Sequence, residues 1–157
     1  MADDPDGISS PPDEAMIELA TRLFDMARAG DASSLAVYLD AGVPPNLSND
    51  SGDSLIMLAA YHGHAETVRA LLKRGADPDR LNDKGQAPVA GAVFKGETEV
   101  VRALVDGGAD PAAGTPSAIE AAQMFGQDEM IRILQPKQPA TQRDPAADRA
   151  QPSRKKE

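Results

Sequence analysis

Two sets of glycines recur at one interval, and that interval constrains the fold of this chain more than any other feature. Gly30, Gly63 and Gly96 are 33 residues apart, and Gly42, Gly75 and Gly108 repeat the interval 12 residues further on. The surrounding text repeats as well. Lys73-Arg74-Gly75-Ala76-Asp77-Pro78 returns as Asp106-Gly107-Gly108-Ala109-Asp110-Pro111. Leu58-Ala59-Ala60-Tyr61-His62-Gly63-His64 has its counterpart in Gly91-Ala92-Val93-Phe94-Lys95-Gly96-Glu97. A fixed period of this length marks an array of small supersecondary units. None of them can bury its apolar face alone, so neighbours must stack.

Each unit reads as helix, tight turn, helix, glycine stop and extended loop. In the second unit Ser54 is a good N-cap, because its hydroxyl can accept from an amide that the first turn leaves unpaired. The apolar run from Leu55 to Ala60 then leads to the break at Gly63. A second helix over about 65–73 puts Val68, Leu71 and Leu72 at i, i+3 and i+4, one apolar face, with Glu66, Arg69 and Lys73 outward. Gly75 supplies the left-handed residue that ends it. The third unit repeats the plan. Pro88 falls in its first helical turn, where a missing N–H costs nothing, and Val100, Val101, Leu104 and Val105 point inward.

These residues resemble the ankyrin family. Its signature is a TPLH-like helix start, an Ala-Ala-x-x-Gly-His hinge, a Val-x-x-Leu-Leu second helix and a Gly-Ala-Asp-x-Asn exit. Here the helix start is Ser54-Leu55-Ile56-Met57 and Ala87-Pro88-Val89-Ala90, the hinge Ala59-Ala60-Tyr61-His62-Gly63-His64, and the exit Gly75-Ala76-Asp77-Pro78-Asp79. The resemblance covers about 16–135, and the period is the family's own. His is absent from the fourth helix position, where Met57 and Ala90 stand. The resemblance extends to small free-standing ankyrin proteins of bacteria, a single stack with short tails.

The expected architecture is therefore all-α: an ankyrin-repeat solenoid of about four helix-turn-helix units with short hairpin-like loops. The domain runs over 12–135, with units at about 12–48, 49–81, 82–115 and 116–135. The end units differ from the central pair. The first has a long opening helix, from about Pro12 to Arg28, with Met16, Ile17, Leu19, Ala20, Leu23, Phe24 and Ala27 on its apolar side. The last is shorter by three residues between its glycines, and Ser117-Ala118-Ile119-Glu120 reads as a capping box. Both ends look like caps, which a solenoid needs to cover its core. Residues 1–11 are expected to form a disordered acidic arm and 136–157 a disordered basic tail. The tail has four prolines, six bases and few large apolar residues, too little to bury.

Charge and composition narrow the function. The net charge of −9 opposes binding to nucleic acid or anionic membranes. With no Cys, disulfides, thiolate metal sites and Cys nucleophiles are excluded. The start of the chain has no apolar run like that of a signal peptide, and no stretch nears a membrane span, so a cytoplasmic monomer is expected. There is no Gly-x-Ser-x-Gly elbow and no phosphate loop, so an enzyme is not expected. Nor is any cofactor.

Function is expected in binding another protein. The resemblance implies that the two positions before each hinge glycine face a concave groove: Arg28 and Ala29, Tyr61 and His62, Phe94 and Lys95, Met124 and Phe125. Three of the five aromatics of the chain lie in this set. Aromatics give large contact area at low entropy cost, which suits a hot spot, although rings packed between neighbouring units would give the same pattern. At the loop tips Asp50 and Asp53, then Lys84 and Gln86, are further candidates. Acids there would steer a basic partner, while solvated turns would also select such residues. A metal-dependent or catalytic role around His62 and His64 is an alternative: the two could chelate, but zinc wants a third ligand, and although Glu66 is near in sequence, His64 coincides with the family's structural hinge His. Self-association is a further alternative.

Overall fold

The computed structural model describes residues 14–135. The arms expected at 1–11 and 136–157 lie outside the described residues. Eight helices follow one another within that range: α1 (Glu14–Ala29), α2 (Ala32–Asp40), α3 (Leu55–Tyr61), α4 (Ala65–Lys73), α5 (Pro88–Lys95), α6 (Thr98–Asp106), α7 (Ala118–Met124) and α8 (Asp128–Leu134). The odd-numbered helices pack side by side in one row, the even-numbered ones in a second, and each pair packs on itself. Among the described residues the only bridge pairing is the isolated one between Ser48 and Ser54, at the base of a hairpin-like loop. No described helix is long and apolar enough to cross a membrane.

The starts of the helices follow their local chemistry. Ser54 Oγ accepts from the Met57 amide at 3.2 Å and caps α3. Ser117 and Glu120 form the full capping box on α7: Ser117 Oγ accepts from the Glu120 amide at 3.1 Å, and Glu120 Oε1 accepts from the Ser117 amide at 2.9 Å. At the equivalent position Ala87 offers no side-chain cap, and Pro88 at the first helical residue removes one orphan donor instead. Gly30, Gly63, Gly96 and Gly126 all take positive φ at the hinges, and Gly75 does so after α4.

The core runs continuously between the rows. Leu23, Leu35, Leu55, Ile56, Leu71, Val89, Val93, Val101 and Leu104 are all but inaccessible. Ala59, Ala92 and Ala122 occupy one register position in three successive first helices and are fully buried, so small side chains set the close approach of the row. Leu72 and Val105 are only half-buried. Leu72 instead reaches into the next unit: a Cβ on Gly107 would fall 2.5 Å from its Cδ1. Gly107 has an ordinary negative φ and is there to make room.

The expectation for the opening helix needs one correction. Leu23, Phe24 and Ala27 are buried and Leu19 and Ala20 pack against the core, but Met16 and Ile17 are 62% and 52% exposed. The reason is length. Helix α1 has 16 residues and its neighbour α3 has seven, so the first turns of α1 overhang the stack.

Polar links join the units at equivalent places. His64 Nε2 donates to the Arg28 carbonyl at 2.7 Å, and Gln127 Nε2 donates to the Val93 carbonyl at 3.3 Å. At the loop bases the Asp77 amide donates to Asn46 Oδ1 and the Asp110 amide to Asp79 Oδ1, both at 2.7 Å. These inter-unit bonds come from the residue after the hinge glycine and from loop Asn and Asp side chains, without a His at the fourth helix position.

Candidate functional site

The first helices and the loop tips enclose a groove of about 620 Å³. Tyr61 and Phe94 stand in it at equivalent positions of the second and third units. Asp50, Asp53, Asp83, Lys84 and Gln86 form its loop wall. Tyr61, Phe94 and the loop-tip candidates thus line one space, although they stand up to 44 residues apart in the sequence, from Asp50 to Phe94, while His62, Lys95 and Phe125 are not among its lining residues.

His62, Lys95 and Phe125 each precede a hinge glycine, and they lie at the margin of the groove, against its rings. The His62 ring meets Tyr61 edge-on at 5.8 Å between centroids, and Lys95 Nζ lies 4.9 Å from the Tyr61 centroid. Phe94 and Phe125 meet edge-on at 5.6 Å across two units. Such contacts fix the rings without burying them. Tyr61, Phe94, Met124 and Phe125 remain 40%, 60%, 64% and 50% exposed. Met124 does not line the groove.

The loop wall is partly self-supporting. Asn82 Nδ2 donates to Asp53 Oδ1 at 2.9 Å and to Gln86 Oε1 at 2.8 Å, which ties one tip to the next. Asn49 and Asn82 each accept two backbone amides from their own turns. Asp53 and Gln86 therefore have a structural partner. Asp50, Asp53 and Asp83 make no ion pair with a described base, and Lys84 is the cation of this wall. Part of the charge on the second-helix row is compensated. Arg69 and Arg102 pair with Glu99, and Arg102 also pairs with Glu129 at 3.1 Å.

The sequence pattern does not point to the groove floor. Met57, Leu58, Ala90, Gly91 and Ala121 form it. Gly91 sits within α5, and a Cβ there would lie 3.5 Å from Tyr61 and 3.7 Å from Met57 Sδ. A glycine inside a short helix, at a cost of about 1 kcal/mol against Ala, is the one sequence signal that marks this spot.

The two histidines have separate roles. The Nε2 of His64 is taken by the Arg28 carbonyl, and its ring covers Gly30, where a Cβ would fall 2.5 Å from Nδ1. His62 is exposed, and its pKa lies below the ordinary 6.5. Partial desolvation of the ring is the main cause, followed by the positive charge of His64, Arg28 and Lys95. Among the described residues no three His, Asp or Glu side chains converge as a metal site.

A family model described as ankyrin repeats (3 copies) matches residues 23–115. The chain belongs to the ankyrin-repeat family. An ankyrin repeat protein of Pseudomonas aeruginosa is 55% identical over 47 residues, which is 30% of this chain and 28% of that protein. The matched stretch therefore spans little more than a quarter of that relative. Ankyrin repeats are in general protein-interaction modules, and the groove of this stack lies between its first helices and its loop tips.

Proposed function

We propose that this chain binds a partner protein through the groove, in a regulatory or scaffolding role, and that it is not an enzyme. The carrying observation is the convergence of exposed Tyr61 and Phe94 with the loop-tip acids on one concave surface. Rings held by their neighbours and left open to solvent lose little entropy on docking, and that is the composition of an interface centre. Phe125, in contact with Phe94, extends the apolar strip into the last unit.

The test is site-specific photocrosslinking in the native cell. A photoreactive phenylalanine analogue in place of Phe94 should capture a discrete partner, and the same group in place of Arg69 on the second-helix row should not. Replacing Tyr61, Phe94 and Phe125 together by Ala should abolish the capture from a second groove position, Lys84. Each lost ring costs about 1–2 kcal/mol of binding. Unchanged capture by a triple variant of normal helical content would overturn the proposal.

A further inference from the structure

We propose that the Asp106-Gly107 bond is a latent isomerisation site: it is closed while the end of α6 holds, reacts when that end opens, and its product loosens the joint between the second and third units. The inference is independent of the groove and of any partner.

Sequence and packing bring the reactive pair together. Among the described residues Asp106-Gly107 is the one Asp-Gly pair. It forms the last residue and the C-cap of α6. The same two positions hold Asp40-Ala41 at the end of α2 and Lys73-Arg74 at the end of α4. A side chain on the residue after the acid shields its amide nitrogen from the carboxyl group, and at this position only the third unit lacks one. Packing keeps it so, because a Cβ on Gly107 would fall 2.5 Å from Leu72 Cδ1 and 3.1 Å from its Cδ2. Asp106 is exposed and has no ion pair among the described residues, so its carboxyl group can turn toward the main chain.

The chemistry is a ring closure. The Gly107 nitrogen attacks Asp106 Cγ, its proton and the carboxyl hydroxyl leave as water, and a five-membered imide forms. Water then adds to one of the two imide carbonyls. Addition at Cγ restores aspartate, and addition at the α-carbonyl leaves the chain running through the side chain as isoaspartate. One water is released and one is taken up, so no other reactant is needed. The fold blocks the first step twice. The Gly107 N–H donates to the Ala103 and Leu104 carbonyls at 3.0 and 3.1 Å, which engages the attacking nitrogen. Ring closure also needs that nitrogen to eclipse Asp106 Cβ, and a helical ψ of about −42° keeps the two staggered. Both blocks lapse together when the last turn of α6 opens, and fraying ends open at the lowest free energy.

The product acts on a joint. Isoaspartate adds one methylene to the main chain between Asp106 and Gly107. Gly107 then leaves the register in which Leu72 packs on it. The Asp110 amide, which donates to Asp79 Oδ1 at 2.7 Å, follows on the same segment. Both contacts fasten the third unit to the second, and one shift of the chain disturbs both.

The test incubates the full-length protein at neutral pH in water enriched in heavy oxygen, followed by digestion and mass spectrometry. Each passage through the imide leaves one heavy oxygen at residue 106, and isoaspartyl and aspartyl peptides separate by chromatography. The chain unfolded in urea should take up label at Asp106 about tenfold faster or more than the native protein, and faster than at Asp40. Leu72→Ala removes the side chain packed on Gly107, so it should raise the native rate severalfold and leave the rate in urea unchanged. Gly107→Ala, compared in urea where Leu72 makes no contact, should lower the rate toward that at Asp40. The isoaspartyl protein, isolated by ion exchange, should melt below the unmodified protein and exchange its Asp110 amide faster. Four results would each overturn the inference: equal rates in the native protein and in urea, a Leu72→Ala variant of normal helical content that reacts no faster, label at Asp106 no higher than at Asp40 in urea, or an isoaspartyl form with an unchanged melt and unchanged Asp110 exchange.

Discussion

Thr67 takes a hydroxyl into the core where nothing bonds it. The residue is fully buried, and its Oγ1 finds no partner. The equivalent position in the next unit is Val100, also buried. Thr67→Val keeps the shape and removes the unsatisfied group, so it should raise stability by about 1 kcal/mol in a denaturant titration; a loss would show that the hydroxyl has a partner in solution. The hinge glycines permit a sharper comparison. Gly30 and Gly96 share a positive φ of 78° and 74°, but a Cβ on Gly30 would run into the His64 ring, whereas nothing lies within 4 Å of one on Gly96. Gly96→Ala should cost about 1–2 kcal/mol from the backbone alone. Gly30→Ala should cost clearly more and should shift the His64 ring resonances, and equal costs would mean that the ring moves aside freely. His62 adds a pH dependence. Its folded pKa lies below 6.5, so between the two values the unfolded chain binds more protons. Its contribution is fully present above pH 6.5 and is lost as pH falls toward the folded value. The ring should titrate below 6.5 by NMR. Lys95→Gln should bring it only part of the way back, because desolvation is the larger cause.

At the scale of the element, the helices of the later units are short and depend on their ends. Helix α7 has seven residues and a full capping box, and α5 at the same register has Ala87 with no cap. Ser117→Ala should destabilise by about 1–2 kcal/mol, and Ala87→Ser should stabilise by up to ~1 kcal/mol, since Ser54 and Ser117 already fit that position. A melt of both variants checks the opposite signs. Signals of this kind are local, which is why Ser54, Pro88 and the Ser117–Glu120 box are legible in the amino-acid sequence alone. Helix periodicity is as legible in the central units. It fails at Met16 and Ile17, since periodicity reports which residues could face a neighbour and not whether one extends that far. The candidate site is legible in part. Tyr61, Phe94 and the loop acids stand at repeat positions, and repetition points to a common face. Met57 is not legible, because the floor exists only once α3 and α5 lie side by side, and Gly91 shows only as a glycine inside a short helix. The double engagement of Asn82 is hidden for the same reason, as it joins loops 29 residues apart.

At the scale of the molecule, a stack of units that touch only their neighbours is as stable as its interfaces, and its ends decide whether those interfaces are closed. Helices α7 and α8 pack on α5 and α6 and close that end with a short unit in which Met124 and Phe125 stay exposed. A fragment of residues 12–135 keeps every described helix. It should unfold in one cooperative transition, with the helical content of the full chain. A fragment ending at 115 opens the faces of α5 and α6 to water. Burial of apolar surface is what holds a nearest-neighbour stack together, so this fragment should lose cooperativity, bind a hydrophobic dye and associate at micromolar concentration. The two fragments differ by 20 residues of modest helix propensity. Local preference alone therefore predicts a small and proportional loss of circular dichroism, whereas interface closure predicts a collapse of the transition. A fragment ending at 115 that melts as sharply as 12–135 would show that the third unit closes the stack by itself.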